Sequence, residues 1–488
     1  MAAHGHHVRP PERTHEVHPN LILAVLSLAG LAYAALSSAV IPALPEFRAS
    51  LHTSETGVAW LLTAFLLSAS VGTSILGRLG DIYGKERTLV ATLLILAFGT
   101  LLGAVATSLP MLIVARVIQG AGGGIFPLGY AIVRDEFPPH RVAGSIGLMS
   151  SILGIGGGLG SVIGALVVQH LGLHWLFWIP LFVTLVAAAA TWRYIPESAV
   201  RAPGRINYRA AGVMSLGLTL VLIGVTQTTS WGWGGTGTLA LLAAGLLVCG
   251  IWVIVEVRSS VPLVDMGMMR LRGVWTTNLS AFLLGGGVYS SFLLVPEFMQ
   301  LPKSTGFGFG ASVFAASLYL LPAAVAMTIF GILAGPVAGR FGSKLALIAG
   351  SAAAAAAFAF LAVLHAHPYD ILISMGLMGT GIGLSYSALG NLIVRAVPPH
   401  QTGVASGMNT VMRTLGGALG GQLAATFVAG HTAHGLPALT GFTASYWLGA
   451  GFLVVCLFSA MLVPTLGQGS APVDQQLEPR GTAKGVAA

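Results

Sequence analysis

Charge is what this 488-residue chain has least of: 8% of its residues are charged, against a hydrophobic share of 55%. Soluble proteins average about 25% charged residues, so this chain cannot cover a water-facing surface. The shortage excludes a soluble globular protein and leaves a polytopic, all-α membrane protein. Cysteine is nearly absent as well. Cys249 and Cys456 both fall inside apolar segments, which excludes a disulfide framework and a CxxC pair and makes each a small packing residue. The net charge of +8 is spread over single basic residues with no patch interleaved with aromatics, which excludes nucleic acid as a partner. There is no Walker loop, HExxH or GxSxG, and Gly122-Gly123-Gly124 lies inside an apolar run rather than in a phosphate loop. The chain is therefore not expected to be an enzyme, nor to carry a cofactor or a metal.

What is abundant is apolar sequence. A membrane helix needs about 20 such residues. Runs of that kind occupy 21–45, 57–76, 88–108, 111–133, 142–169, 174–195, 208–229, 237–257, 274–300, 310–337, 344–364, 369–394, 403–429 and 441–464, fourteen in all. With the N-terminus inside, Arg78, Lys85, Arg87, Arg134, Arg141, Arg201, Arg205, Arg258, Arg270, Arg272, Arg340, Lys344 and Arg395 lie in or beside inner links, and only Arg48 and Lys303 in outer ones. That asymmetry predicts two cytoplasmic termini. Residues 1–20 hold His4, His6, His7, His15 and His18. They offer metal ligands but read as a solvated tail, and a full-length span follows them rather than a signal-peptide cleavage site.

One link stands out: Gly77-Arg78-Leu79-Gly80-Asp81-Ile82-Tyr83-Gly84-Lys85-Glu86-Arg87. Gly77 and Gly80 allow close helix approach, and Gly84 allows a tight turn. Asp81 reads as lying near the start of the following helix, where the helix dipole favours a carboxylate. Lys85 and Arg87 read as inner-loop charge. The spacing of Gly77, Leu79, Asp81, Gly84, Lys85 and Arg87 resembles the signature loop between spans two and three of the major facilitator superfamily. The resemblance implies a conformational gate made of Gly77, Asp81, Gly84, Lys85 and Arg87 that locks the outward-open state. Ile82 departs from it, where the family often has a basic residue.

An internal repeat supports the same organisation. Ile132-Val133-Arg134 with Phe137-Pro138-Pro139-His140 recurs as Ile393-Val394-Arg395 with Val397-Pro398-Pro399-His400. Gly77 to Lys85 echoes in Gly335, Gly339, Arg340, Gly342 and Lys344, without the Asp. Both copies lie on inner links of the same sense, which implies two parallel-related halves. The expected division is a tail (1–20), a six-helix bundle (21–196), a linker with two inserted helices (197–259), a second six-helix bundle (260–465) and a tail (466–488). Trp231 and Trp233, between the inserted helices, suit a headgroup interface, and that pair is expected to face lipid.

The remaining candidates lie within spans. Arg116, in Arg116-Val117-Ile118-Gln119-Gly120, is costly at that depth, about 2.5–3.5 kcal/mol on insertion scales, and faces either a cavity or a packing partner. The stretch resembles the family's span-four arginine motif, which implies a part in proton coupling. Gly154, Gly156, Gly157, Gly158, Gly160 and Gly164 resemble the antiporter signature of span five, with Ser161 where proline would stand; plain small-residue packing is the other reading. Span one ends in Ala43-Leu44-Pro45, similar to the fourteen-span drug:proton antiporters, but Leu36 occupies the place of their Asp. Proton coupling then needs another carboxyl. Glu297, beside Pro296 near the outer end of span nine, is either that group or a rim residue pairing with Lys303. Arg413, deep in span thirteen beside Asn409, faces either a cavity or a backbone carbonyl. Tyr33, Gln119, Phe126, Tyr130, Tyr289, Phe298 and Tyr386 complete the cavity candidates, on spans that line the cavity in that family. The implied function is export of amphipathic drugs or natural products by alternating access, coupled to protons, by a monomer in a bacterial cytoplasmic membrane. An uptake symporter, an uncoupled facilitator and a transport-inactive sensor or scaffold are the alternatives.

Overall fold

Backbone polar groups inside a bilayer must be satisfied within their own segment, so long apolar runs fold as helices. The computed structural model describes residues 18–464 apart from 199, 203–204 and 434–435. The histidines at positions 4 to 15 and the expected tail at 466–488 lie outside the described residues. The first half comprises α1 (Pro19–Ala39), α2 (Glu55–Tyr83), α3 (Lys85–Ala104), α4 (Leu109–Glu136), α5 (Pro139–Leu171) and α6 (Trp175–Tyr194). The inserted pair is α7 (Tyr208–Thr226) and α8 (Thr236–Arg258). The second half comprises α9 (Arg272–Gln300), α10 (Leu321–Phe341), α11 (Ser343–Val363), α12 (Pro368–Ala396), α13 (Thr402–Gly430) and α14 (Leu439–Leu462).

Every expected apolar run is thus a helix. Thirteen of them are long and apolar enough to cross a membrane. The exception is α13, which has 29 residues but carries Asn409, Arg413 and Gln422. Among the described residues the only strands are Thr432–Ala433 and Leu436–Pro437, paired antiparallel.

Three of the departures from the expected helix limits have a clear local reason. α1 ends at Ala39, and Leu44–Ser50 forms a separate short helix, because Pro42 and Pro45 lack the N–H that a continuous helix would use. α2 runs on to Tyr83 and α3 begins at Lys85. The charged link shrinks to Gly84, at φ +114°, a value that favours glycine. α4 is interrupted by one 3₁₀ turn at Ala121–Gly124, where three consecutive glycines lie against Tyr33, Thr73 and Leu76.

In the first half α1 packs on α5 and α6, α2 on α4, and α3 on α4 and α6. In the second, α9 packs on α13 and α14, and α12 on α10 and α11. The halves meet along α2–α13 and along α5 with α10 and α12. α5 carries small residues on two faces. Gly156, Gly160 and Gly164 lie against Ala34, Ala35 and Ala39 of α1, while Gly154 and Gly158 lie against Met327 and Ala324 of α10. Small-residue packing therefore accounts for most of this glycine run. α7 and α8 pack on each other, and α7 reaches α2 and α13. Only 11% of the apolar window of α8 is buried, so this helix faces outward. The thiol of Cys456 donates to the Ser280 carbonyl (3.3 Å) and Cys249 lies against Gly217, both in packing roles.

Candidate functional site

The stretch 77–87 is built into the seam between the halves. A Cβ on Gly77 would lie 2.7 Å from the carbonyl carbon of Gly403 in α13 and would overlap its oxygen. One turn further, Asp81 Oδ1 accepts the N–H of Gly403 (3.1 Å) and Oδ2 accepts that of Val404 (2.9 Å). Both donors belong to the first turn of α13, where N–H groups lack helical partners and the dipole is positive. The expectation that Asp81 serves the start of α3 is corrected. It lies in the last turn of α2 and caps a helix of the other half, because α2 continues past the expected end and carries the side chain into the seam.

The repeated motif contacts itself across this seam. Arg134 Nη1 donates to the Val397 carbonyl (2.8 Å) and to Thr402 Oγ1 (2.8 Å), in and beside the second copy's proline loop. At the other seam Gly335 of α10 meets Gly144 of α5, with 2.6 Å between its hypothetical Cβ and the Gly144 Cα, and Asn391 Nδ2 donates to the Ala143 carbonyl (3.2 Å). Gly339 occupies the position matching Asp81. Of these two matched positions only that at the α2–α13 crossing is a carboxylate.

Lys85 is not a solvated loop charge. Its side chain has no solvent exposure and pairs with Asp135, which also accepts from Ser198 Oγ (2.5 Å). A buried ammonium requires such a partner, and Asp135 anchors the loop. Arg87 pairs with Glu197 at 3.5 Å, but its side chain is 71% exposed, so that pair contributes little. Arg78 Nη2 donates to the Pro262 carbonyl (3.4 Å). Glu256, at the end of α8, accepts from the N–H groups of Leu263 (2.8 Å) and Val264 (3.2 Å) and from Trp252 Nε1 (3.1 Å). The link after the inserted pair is held against the gate in this way.

Deeper between the halves lies an aromatic wall. Tyr33 stacks on Phe65 with 5.6 Å between centroids, and Phe126 bridges Tyr33 (6.4 Å) and Tyr130 (6.3 Å). Tyr130 hydrogen-bonds Ser150 (2.9 Å), which donates to the Tyr386 carbonyl (3.5 Å). Arg413 places its guanidinium carbon 4.3 Å from the Tyr386 ring centroid, about 16 Å along α13 from its start at 1.5 Å per residue. Tyr33, Tyr130 and Tyr386 lie within electrostatic reach of Arg413. Tyr289 is near enough to Tyr33 and Tyr386 to act on them electrostatically and is 38% exposed. Among the described residues no carboxylate forms an ion pair with Arg413.

The sequence profile of the Major Facilitator Superfamily matches residues 26–421. The chain belongs to the major facilitator superfamily. It is a multi-pass membrane transport protein that handles small-molecule substrates, and like its relatives it is not an enzyme. It is similar to "Multidrug resistance protein 3" of Bacillus subtilis (strain 168), at 25% identity over 74% of this chain and 70% of the relative. It is also similar to the "Tetracenomycin C resistance and export protein" of Streptomyces glaucescens, at 28% identity over 80% of this chain and 72% of that one. Among solved structures it shares its fold with the proton:xylose symporter XylE, at a TM-score of 0.66 and 16% identity, covering 91% of this chain and 96% of that one. It shares it likewise with the human organic anion transporter MFSD10, at a TM-score of 0.64 and 18% identity, covering 93% and 100%.

Several cavity candidates in this facilitator point elsewhere. Arg116 is fully buried in the first half. Its Nε donates to the Leu61 carbonyl (3.1 Å), its Nη1 to Gln119 Oε1 (2.9 Å), and its guanidinium lies 4.0 Å from the Phe65 ring centroid. Gln119 in turn donates to the Gly99 carbonyl (3.2 Å). Gln119 is therefore a bridge between α3 and α4 rather than a wall residue, because those partners satisfy its amide. Asn409 faces α9, donating to the Thr277 carbonyl (3.3 Å) and Asn278 Oδ1 (3.0 Å). Phe298 is fully buried among Phe307, Phe309, His365, Phe442 and Tyr446, in the core of the second half. Glu297 is half-buried and makes no ion pair with Lys303 among the described residues.

Sequence reasoning missed Phe65, Ser150, Thr402 and Gly403. The first three carry no motif. Gly403 stands three residues after the repeated Pro-Pro-His, as Ala143 does in the first copy, and that register was the available signal.

Proposed function

We propose that this facilitator exports amphipathic drugs or natural products by alternating access in exchange for protons. It works as a monomer in a bacterial cytoplasmic membrane with both termini inside. The observation that carries this reading is the Asp81 cap on α13. Asp81 joins the two halves at the basic face, beside the Arg134 hydrogen bonds to Val397 and Thr402, so closure of that face is coupled to the relative position of the halves. The relatives named for multidrug resistance and for tetracenomycin C export support the outward direction. The basic residues around the gate support a cytoplasmic setting for that face. Leu36 stands where related drug:proton antiporters are expected to hold an acid, and Glu297, in the outer part of α9 and without an ionic partner among the described residues, is the group we assign to proton exchange. Arg116, locked by Leu61 and Gln119, is a fixed cation behind Phe65 and not a carrier.

Reconstituted vesicles test this directly. An imposed pH gradient should drive substrate against its concentration in wild type. Asp81→Asn should lose most transport, and Glu297→Gln should lose gradient-driven transport while keeping binding and downhill exchange. Accumulation with the gradient in the symport sense marks an uptake symporter, transport indifferent to the gradient marks a facilitator, and no flux at all marks a sensor or scaffold. Each of those results overturns the proposal.

A further inference from the structure

The wall around Arg413 has a charge balance that bears on what it can bind. The inference rests on the reading that substrate occupies the space between the halves. Arg413 is half-buried and oriented by its position over the Tyr386 ring, where the cation meets the negative face of the π-system. A cation at such depth calls for compensation, and no described carboxylate pairs with it. Four described acids of the spans and their links stand at other levels. Asp81 and Asp135 are engaged at the basic face, and Glu256 caps the link after α8. Glu297 lies eight residues beyond Tyr289, about 12 Å further out along α9 at 1.5 Å per residue. On α1, the wall helix that carries Tyr33, there is no acid at all.

The hydroxyls of the wall point the same way. Tyr130 is engaged with Ser150. Tyr33, Tyr289 and Tyr386 make no side-chain hydrogen bond among the described residues. Tyr289 is exposed and can donate to an acceptor placed between the halves, whereas Tyr33 and Tyr386 are largely covered. Phe65 and Phe126 are buried behind this wall and support its tyrosines. A half-buried guanidinium, the exposed Tyr289 phenol and stacked rings suit a planar aromatic molecule with an acidic group. An organic cation would meet the charge of Arg413, with that of Arg116 behind Phe65, and no described acid at this level to offset them.

We propose that this site selects planar aromatic anions, carboxylates or acidic phenols, over organic cations, with Arg413 as the charge-reading residue. The test is equilibrium binding to the purified full-length protein of three pyrenes that differ only in head group: 1-pyrenebutyrate, 1-pyrenebutanol and trimethyl-(4-pyrenylbutyl)ammonium. Opposed charges at an effective dielectric near 20 favour a bound ion by roughly tenfold or more. Wild type should therefore bind the butyrate at least tenfold tighter than the ammonium. Arg413→Gln should bring the two within about threefold while pyrenebutanol binding, the check on folding, is kept. Arg413→Lys should retain the anion preference.

The proposal fails if wild type binds the ammonium as tightly as the butyrate, or binds no butyrate. It fails too if an Arg413→Gln protein with normal pyrenebutanol binding keeps the preference. The wild-type comparison needs no variant, so a misfolded mutant does not rescue the idea. Selective binding without movement of any probe across a vesicle membrane would refute export and leave the charge selection standing. Export that favours the ammonium would refute the selection and leave export standing.

Discussion

Adding one methyl group at Gly403 should unlatch the basic face. In the structure a Cβ at this position would overlap the Gly77 carbonyl oxygen and lie 2.8 Å from Asp81 Oδ1 and 3.1 Å from its Cγ. None of these atoms can give way cheaply. One is helix backbone, and the others belong to a carboxylate held by two hydrogen bonds. Overpacking a tight contact costs about 1–3 kcal/mol, and here the cost falls only on the state in which α2 and α13 touch. Where the halves part, the methyl is unopposed, and alanine is favoured over glycine in a helix by about 0.8–1 kcal/mol. The second effect applies to both states and cancels, so the closed face loses about 1–3 kcal/mol relative to the open one. At 1.4 kcal/mol per decade that is roughly a five- to hundredfold rise in the open-to-closed ratio.

The assay is labelling of a single cysteine placed at Ser406, which is 2% exposed behind the seam, in a background lacking Cys249 and Cys456. A membrane-impermeant maleimide is applied from the side of the basic face. Gly403→Ala should speed labelling at least fivefold. Gly376→Ala on α12, where a Cβ meets nothing within 4 Å, should leave the rate unchanged. Equal rates for Gly403→Ala and its parent would refute the idea that this backbone crossing holds the face shut.

Asp135→Asn should leave Lys85 buried without its counter-charge and cost about 3–5 kcal/mol. The expected result is a clear fall in the melting temperature of the detergent-solubilised protein, with most of it restored in Lys85→Met/Asp135→Asn; a single variant that melts like wild type would contradict the buried pair. Glu256→Gln has one acceptor oxygen for three donors and should cost about 1–3 kcal/mol for each group left unsatisfied, seen as faster hydrogen exchange at Leu263 and Val264. Unchanged exchange there would show that Glu256 does not hold the link. Cysteines introduced along 210–226 of α7 should label equally with and without substrate, since the inserted pair lies outside both bundles; protection by substrate would place α7 on the route.

Much of this architecture was legible because it follows from local chemistry. Apolar length, glycine at Gly84 and proline at Pro42 and Pro45 act on the segment that contains them, so fourteen runs and most of their limits can be read directly. The repeat was legible too, since Gly77 with Gly335 and Pro138 with Pro398 keep the same register in both halves. Which residues meet was not legible. Asp81 reads as an ornament of its own loop, yet its donors are 322 and 323 residues away. Lys85 reads as a surface charge until Asp135 and Ser198 close over it.

The central site shows the same division. Tyr33, Phe126, Tyr130, Tyr386 and Arg413 come together, whereas Gln119, Asn409 and Phe298, of like chemistry, turn into the bundles. A helix shows every side chain on its circumference at each turn, and sequence periodicity states only that one stripe is more apolar than another. In a chain this apolar the stripes hardly differ. The face each helix turns toward the other half is then set by where a neighbour's glycine admits close packing and where a buried polar group finds its partner, and both conditions exist only after the helices have assembled.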